Sequence, residues 1–239
     1  MKVIILAGGF GTRLAELTKT IPKPMVKVGG SPIIVHIMKH YIKHGFKKFF
    51  IAIGYKGYVI KKYFKNYKRN GVFFKHKVFN QNCSVAIIDT GLKTLTGGRL
   101  KKAEAFIKDE NFFFTYGDGI SNVNLNKLKK SHIKSKKIVT VTAVRPPARF
   151  GELKIKGSKV ISFKEKPQTN QGWINGGFFV AKKSFFNFIN GDQEILEKKP
   201  LEKVSKIGQL NAFKHHGFWK CMDTLRDKQV IEEMLRKKK

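Results

Sequence analysis

Two segments near the N-terminus carry residue types that handle phosphate: Gly8-Gly9-Phe10-Gly11-Thr12-Arg13 and Pro22-Lys23-Pro24-Met25. Glycines let backbone N–H groups turn toward a polyphosphate with no side chain in the way, while Thr12 and Arg13 add a hydroxyl and a cationic fork. No G-K-[ST] follows, so this is not a Walker A loop, and the spacing is not the G-x-G-x-x-G of a dinucleotide site. A plain strand-to-helix connection has the same look. Lys23, between two prolines, stands on a stretch that cannot be regular helix, which suits a counter-charge for an α-phosphate beside the loop. Asp118, flanked by Gly117 and Gly119, ends the apolar run 112–116. A carboxylate at a strand's carboxyl end suits Mg²⁺, which prefers hard oxygens, and equally suits a turn. Asp223 is a candidate second ligand or the N-cap of a following helix. Asn175-Gly176 offers an amide and bare backbone to sugar hydroxyls, or a β-bulge inside a strand, and the two readings are compatible.

Positioning these residues requires a sheet. The stretch Lys2 to Ala7, continuously apolar from Val3 and ended by glycines, predicts a buried parallel strand. Ile33, Ile34, Ile37, Met38, Tyr41 and Ile42 form one helical stripe over 32–44, entered at Pro32 and stopped at Gly45. Residues 49–53 predict a second strand, and the stripe from Val59 to Tyr67 a second helix. This βαβα order argues for a mostly parallel sheet with helices on its faces. Further strands are expected near 72–79, 85–88, 112–116 and 138–144, with helices near 98–107 and 125–134. After Pro146-Pro147 the strands shorten (153–156, 160–163, 174–180), and helical stretches follow near 183–189, 200–207 and 223–237. The C-terminal part is expected to extend the same sheet and close over its carboxyl edge, where open α/β sheets bind ligands.

A chain of 239 residues that is 41% hydrophobic can bury a sizeable core as one domain. The N-terminal apolar run is too short for a signal peptide, and no run approaches the ~20 residues needed to span a bilayer, so a cytoplasmic location is expected. Cys83 and Cys221 stand apart without C-x-x-C spacing and read as reduced packing residues. The seven histidines show no ligand spacing, and no Ser-His-Asp arrangement stands out. The formal charge of +33 alone would suggest a nucleic-acid partner. Nearly all of it is scattered lysine, however, and the aromatics fall within apolar strands, so it reads as a lysine-favouring composition that also draws in anionic substrates.

The pairing of L-A-G-G-x-G-T-R-L with P-K-P-M resembles the sugar-1-phosphate nucleotidylyltransferases, a family built on a Rossmann-like α/β sheet of the nucleotide-diphospho-sugar transferase type. The resemblance covers nearly the whole chain. It runs through Asp89-Thr90-Gly91, Thr96-Gly97-Gly98-Arg99-Leu100, Thr115-Tyr116-Gly117-Asp118-Gly119, Arg149-Phe150-Gly151, Glu165-Lys166-Pro167, Asn175-Gly176-Gly177 and Met222-Asp223-Thr224. It is nearest to the cytidylyltransferase branch that joins CTP to glucose 1-phosphate. Two departures are visible: Ile21 stands where that branch carries a lysine, and the segment 67–85 is shorter.

What the resemblance implies can be laid on matching residues. Residues 1–145 would bind the nucleotide and 146–239 the sugar phosphate. Leu6, Ala7, Gly8, Gly9, Gly11, Thr12, Arg13, Lys23, Thr94, Gly98, Arg99 and Gly117 would contact the nucleotide, and Asp118 and Asp223 would hold Mg²⁺. Glu165 and Asn175 with Gly176 would meet the sugar, and Lys166 its phosphate. The resemblance allows a homo-oligomer and calls for neither a membrane nor a specific nucleic acid. A different base or sugar would keep the reaction; a non-catalytic polyanion-binding protein on this fold would have lost Gly11, Arg13, Lys23, Asp118, Lys166 or Asp223, all of which are present.

Overall fold

The computed structural model describes residues 1–65, 70–145, 152–164 and 172–236. Strand β1 (Val3–Ala7) leads through a 3-10 turn at Thr12–Leu14 into the short helix α1 (Ala15–Thr18), then a second 3-10 turn at Lys23–Met25. A small hairpin, β2 (Lys27–Val28) with β3 (Ser31–Pro32), precedes α2 (Ile33–Lys43), β4 (Lys48–Ile53) and α3 (Gly57–Phe64). Next come β5 (Phe74–Val78), β6 (Gln81–Asp89), α4 (Thr96–Lys102), β7 (Asn111–Tyr116), β8 (Gly119–Ser121), α5 (Leu125–Ser135) and β9 (Val139–Val144). The chain continues as β10 (Glu152–Lys156), β11 (Lys159–Lys164), β12 (Ile174–Lys182), α6 (Lys199–Lys206), β13 (Leu210–His215), β14 (Trp219–Cys221) and α7 (Leu225–Arg236).

Eight strands form one sheet in the order β13-β9-β12-β7-β1-β4-β6-β5. The pairs β1–β4, β1–β7, β4–β6 and β13–β9 are parallel, whereas β12 runs antiparallel to both its neighbours and β5 antiparallel to β6. The expected mostly parallel mixed sheet is therefore present, with strands from both halves of the chain in it. Reversal of β12 matters for the site: its amino end, at Ile174–Gly177, reaches the same edge as the carboxyl ends of β1, β4, β6 and β7.

Alternation along β1 splits the core into two layers. Val3, Ile5 and Ala7 face α2 and pack with Ile34, Ile37, Met38 and Tyr41, while Ile4 and Leu6 face Leu100, Phe112, Phe114, Phe185 and Phe186 on the other side. Burial of this kind, at about 25 cal/mol per Å² of apolar surface, is the dominant favourable term of the fold. Several expectations need correcting. The helix expected near 98–107 is α4 followed by a 3-10 turn at Glu104–Phe106, and that expected near 183–189 is a 3-10 turn at Lys183–Phe188, since the adjacent Phe185 and Phe186 are both buried, unlike a one-faced helix. Strands β2, β3, β8, β13 and β14 lie outside the strands that the sequence predicts, and β8 and β14 shape the site.

Candidate active site

The carboxyl edge of the sheet opens into a cavity of ≈ 500 Å³ whose floor is the turn after β1. Gly11 there has φ +68°, and a Cβ on it would lie 3.0 Å from Thr18 Cγ2 and 3.2 Å from Lys23 Cβ. Both backbone and space thus call for glycine. The Thr18 hydroxyl closes the turn by donating to the carbonyls of Gly11 (3.1 Å) and Leu14 (3.0 Å). Lys23 lies on the turn between its two prolines, with the Met25 N–H donating to the Pro22 carbonyl at 2.8 Å, and is almost fully buried.

The ammonium of Lys23 donates to Asp118 Oδ2 and to Asp223 Oδ1, each at 2.7 Å, and Arg13 Nη1 donates to Asp223 Oδ2 at 2.6 Å. Burial alone would lower the Lys23 pKa, but Asp118 and then Asp223 outweigh it and hold the ammonium above its ordinary value. Strands β8 and β14 bring the two aspartates together. They pair antiparallel with Cys221 opposite Gly119, and the Met222 N–H donates to the Asp118 carbonyl at 2.9 Å. Beneath them Leu14, Val26, Ile120, Met222 and Ile231 form a separate apolar cluster. Arg13, Lys23, Asp118 and Asp223 each stand one to three positions from a member of that cluster, which fixes these four side chains from distant segments around one point. The cap of the following helix, the alternative role for Asp223, is taken by Thr224. Its hydroxyl accepts from the Asp227 N–H (3.2 Å) while Asp227 Oδ2 accepts from the Thr224 N–H (2.9 Å), a reciprocal cap that leaves the Asp223 carboxylate for the site.

Asp118, Cys221 and Asp223 each present a ligand atom within 4.8 Å of the others. Burial, reinforced by Asp118, pushes the Cys221 thiol up, so it stays protonated at neutral pH. The donors left are two carboxylates, a hard oxygen set that fits Mg²⁺ and leaves room for waters and phosphate oxygens.

Leu6, Ala7, Gly8, Gly9, Thr12 and Gly117 line the cavity together with Thr94 and Arg99. The buried Arg99 guanidinium crosses the ends of β4 and β6, where Nη1 donates to the Thr90 hydroxyl (2.6 Å) and the Gly91 carbonyl (2.8 Å) and Nη2 to the Leu92 carbonyl (3.1 Å). Thr94 donates to the Thr90 carbonyl at 2.5 Å. Gly98 is not among the residues lining the cavity; it packs on the backbone of Asp192, whose Cα would lie 2.5 Å from a Cβ at that position.

On the opposite wall, Asn175 and Gly176 line the cavity, and the pairing of β12 with β9 shifts register between Asn175 and Phe179. The bulge and the cavity position thus coexist. The Trp219 indole N–H donates to the Gly176 carbonyl at 2.7 Å. Glu165 and Lys166 lie outside the described residues, as does the 149–151 motif. Sequence reasoning missed Tyr116, Glu197 and Trp219, all of which line the cavity. Only the motif neighbour of Asp118 could have pointed to Tyr116, and nothing local singled out Glu197.

Residues 2–220 match the Nucleotidyl transferase family. The chain is 46% identical to a glucose-1-phosphate cytidylyltransferase of Salmonella typhimurium, over 100% of this chain and 97% of that one. It is 37% identical to a probable glucose-1-phosphate cytidylyltransferase of Bacillus subtilis, over 98% and 96%. Among solved structures, HddC from Yersinia pseudotuberculosis superposes with a TM-score of 0.75 at 26% identity, covering 98% of this chain and 99% of that one. With a relative this similar along its whole length and a site assembled as described, the chain belongs to the nucleotidyl transferase family.

Proposed function

We propose that the enzyme joins CTP to glucose 1-phosphate, giving CDP-glucose and pyrophosphate. The observation that carries the reading is the placing of Lys23 within hydrogen-bond distance of both Asp118 and Asp223, whose carboxylates lie within 4.8 Å of one another, beside the glycine turn. The choice of base and sugar rests on the similarity to cytidylyltransferases that act on glucose 1-phosphate.

A phosphate-monoester oxygen of the sugar phosphate attacks the α-phosphorus of the triphosphate in line. A new P–O bond forms there, the bond from the α-phosphorus to the bridging oxygen breaks, and pyrophosphate leaves with that electron pair. The monoester is already a competent nucleophile at neutral pH, so positioning and charge neutralisation do the work, and no covalent enzyme intermediate is needed. Asp118 and Asp223 would hold Mg²⁺, which supplies charge neutralisation at the triphosphate when bound. Arg13 and Lys23 offset the phosphate charge, backbone N–H groups of residues 8–12 seat the triphosphate, and Thr94 and Arg99 shape the nucleotide wall. Residues 1–145 serve the nucleotide and 146–239 the sugar phosphate, with Asn175 and Glu165 meeting sugar hydroxyls and Lys166 the sugar's phosphate. Both substrates are water-soluble, which suits a cytoplasmic location, and among the described residues no helix is long and apolar enough to cross a membrane.

The test pairs CTP, UTP, dTTP and GTP with a set of sugar 1-phosphates and identifies the nucleotide sugar by mass. CDP-glucose formed fastest bears the reading out. Preference for GTP would instead align the chain with guanylyltransferase relatives such as the Campylobacter jejuni D-glycero-alpha-D-manno-heptose 1-phosphate enzyme, 34% identical over 78% of each chain.

A further inference from the structure

Glu197 is an acidic side chain in the wall of a cavity that receives anions. The chain has 49 Lys and Arg residues against 16 Asp and Glu, yet no described lysine or arginine forms an ion pair with Glu197. Its partners are hydroxyls. The Tyr116 hydroxyl donates to Glu197 Oε1, and the Thr96 hydroxyl donates to Oε2 at 2.9 Å. Both donors are themselves fixed: Thr96 Oγ1 accepts from the Leu196 N–H at 2.9 Å, and the Tyr116 oxygen accepts from Asn175 Nδ2 at 3.3 Å. The carboxylate therefore has one defined orientation, tied to the start of α4 on one side and to the end of β7 and the bulge of β12 on the other.

An ionised carboxylate has about four lone-pair sites. Two are used by Tyr116 and Thr96, so each oxygen keeps one acceptor site, and the residue is exposed where it lines the cavity. Two acceptors on one rigid planar group match two neighbouring O–H donors. The same negative charge repels phosphate, which keeps the triphosphate toward Arg13 and Lys23.

The geometry points to Glu197 as a specificity-determining residue that accepts hydrogen bonds from the vicinal diol of a sugar ring. It rests on the function proposed above, which supplies two such diols, the ribose of the nucleotide and the hexose of the sugar phosphate.

Initial rates of the full chain distinguish them. Wild-type protein and Glu197→Gln are assayed with CTP against 2′-deoxy-CTP and 3′-deoxy-CTP, and with glucose 1-phosphate against its 2-deoxy and 3-deoxy forms. For one of the two substrates the wild type disfavours the deoxy form, and Glu197→Gln raises KM for the hydroxylated form by about 10-fold or more while nearly erasing that discrimination. The other substrate's discrimination is unchanged. Which substrate responds names the source of the diol. A residue that only held Tyr116 and the 191–197 loop in place would lower kcat or thermal stability and leave both discrimination ratios at wild-type values, and that result overturns the inference while the function stands. Absence of wild-type turnover with every triphosphate and sugar 1-phosphate overturns both. If Glu197→Gln unfolds below the assay temperature, Glu197→Asp carries the same test, because a carboxylate withdrawn by one methylene also loses the discrimination.

Discussion

Lys23 Nζ donates to Asp118 Oδ2 across 2.7 Å, although the two residues are 95 positions apart in the chain. The lysine arrives on a turn stiffened by prolines and the aspartate at the end of a buried strand, so neither gives up much freedom to meet the other.

Replacing Lys23 by Met removes the charge and keeps the stem. The proposed function predicts a fall of about 100-fold or more in kcat/KM, the size expected for one preorganised electrostatic contact, read by pyrophosphate release. The pairing also sets a pH limit. The folded pKa is raised above its ordinary 10.5, so the stability from the pair is fully present below that value and lost only as pH climbs through the raised one. Activity profiles between about pH 6 and pH 9 should show no titration of this lysine; a lysine deprotonating in that window would contradict the pairing.

Gly11→Ala places a Cβ in a left-handed turn and 3.0 Å from Thr18 Cγ2. A loss of roughly 1–2 kcal/mol of stability is expected, measurable by urea unfolding, together with a raised KM for the triphosphate. Unchanged stability and KM would mean that the turn tolerates another conformation.

The structure also predicts acid sensitivity away from the site. His132 is buried with Nδ1 2.9 Å from the Thr140 hydroxyl and Nε2 3.0 Å from Asn111 Oδ1, which suits a neutral ring accepting at Nδ1 and donating at Nε2. Burial, aided by Lys182, lowers its pKa from 6.5 to about 4. The unfolded chain takes the proton first as pH falls, so this group's contribution is present above about 6.5 and lost toward about 4, at most about 3 kcal/mol. NMR of the ring should show it neutral at about pH 5, and a midpoint near 6.5 would contradict the buried pairing.

Much of the site was legible in the sequence because its chemistry is local. The glycine turn, the proline-bounded lysine and the glycine-flanked Asp118 sit next to strong apolar runs, β1 and β7, whose burial dictates the strand. Asp223 was the difficult case. Its helix-cap alternative could not be dismissed locally, and what frees its carboxylate is the Thr224–Asp227 cap together with the pairing of β8 and β14, strands of three residues each that are too short for any periodicity to show. Strand β13 escaped because its residues are only partly buried or exposed, so no clean alternation marks it. Gly98 packs on Asp192, a residue 94 positions later that no local pattern connects to it. Glu197 is distant in the same way.

Strands β8 and β14 bring Asp118 and Asp223 together, in the proposed function to serve a metal-bound triphosphate. The most direct measurement is pyrophosphate release by Asp118→Asn at saturating CTP, glucose 1-phosphate and Mg²⁺, with circular dichroism to verify the fold. Turnover is expected to fall by roughly 1,000-fold or more while the folded spectrum is retained. A folded variant turning over at near wild-type rate would contradict it.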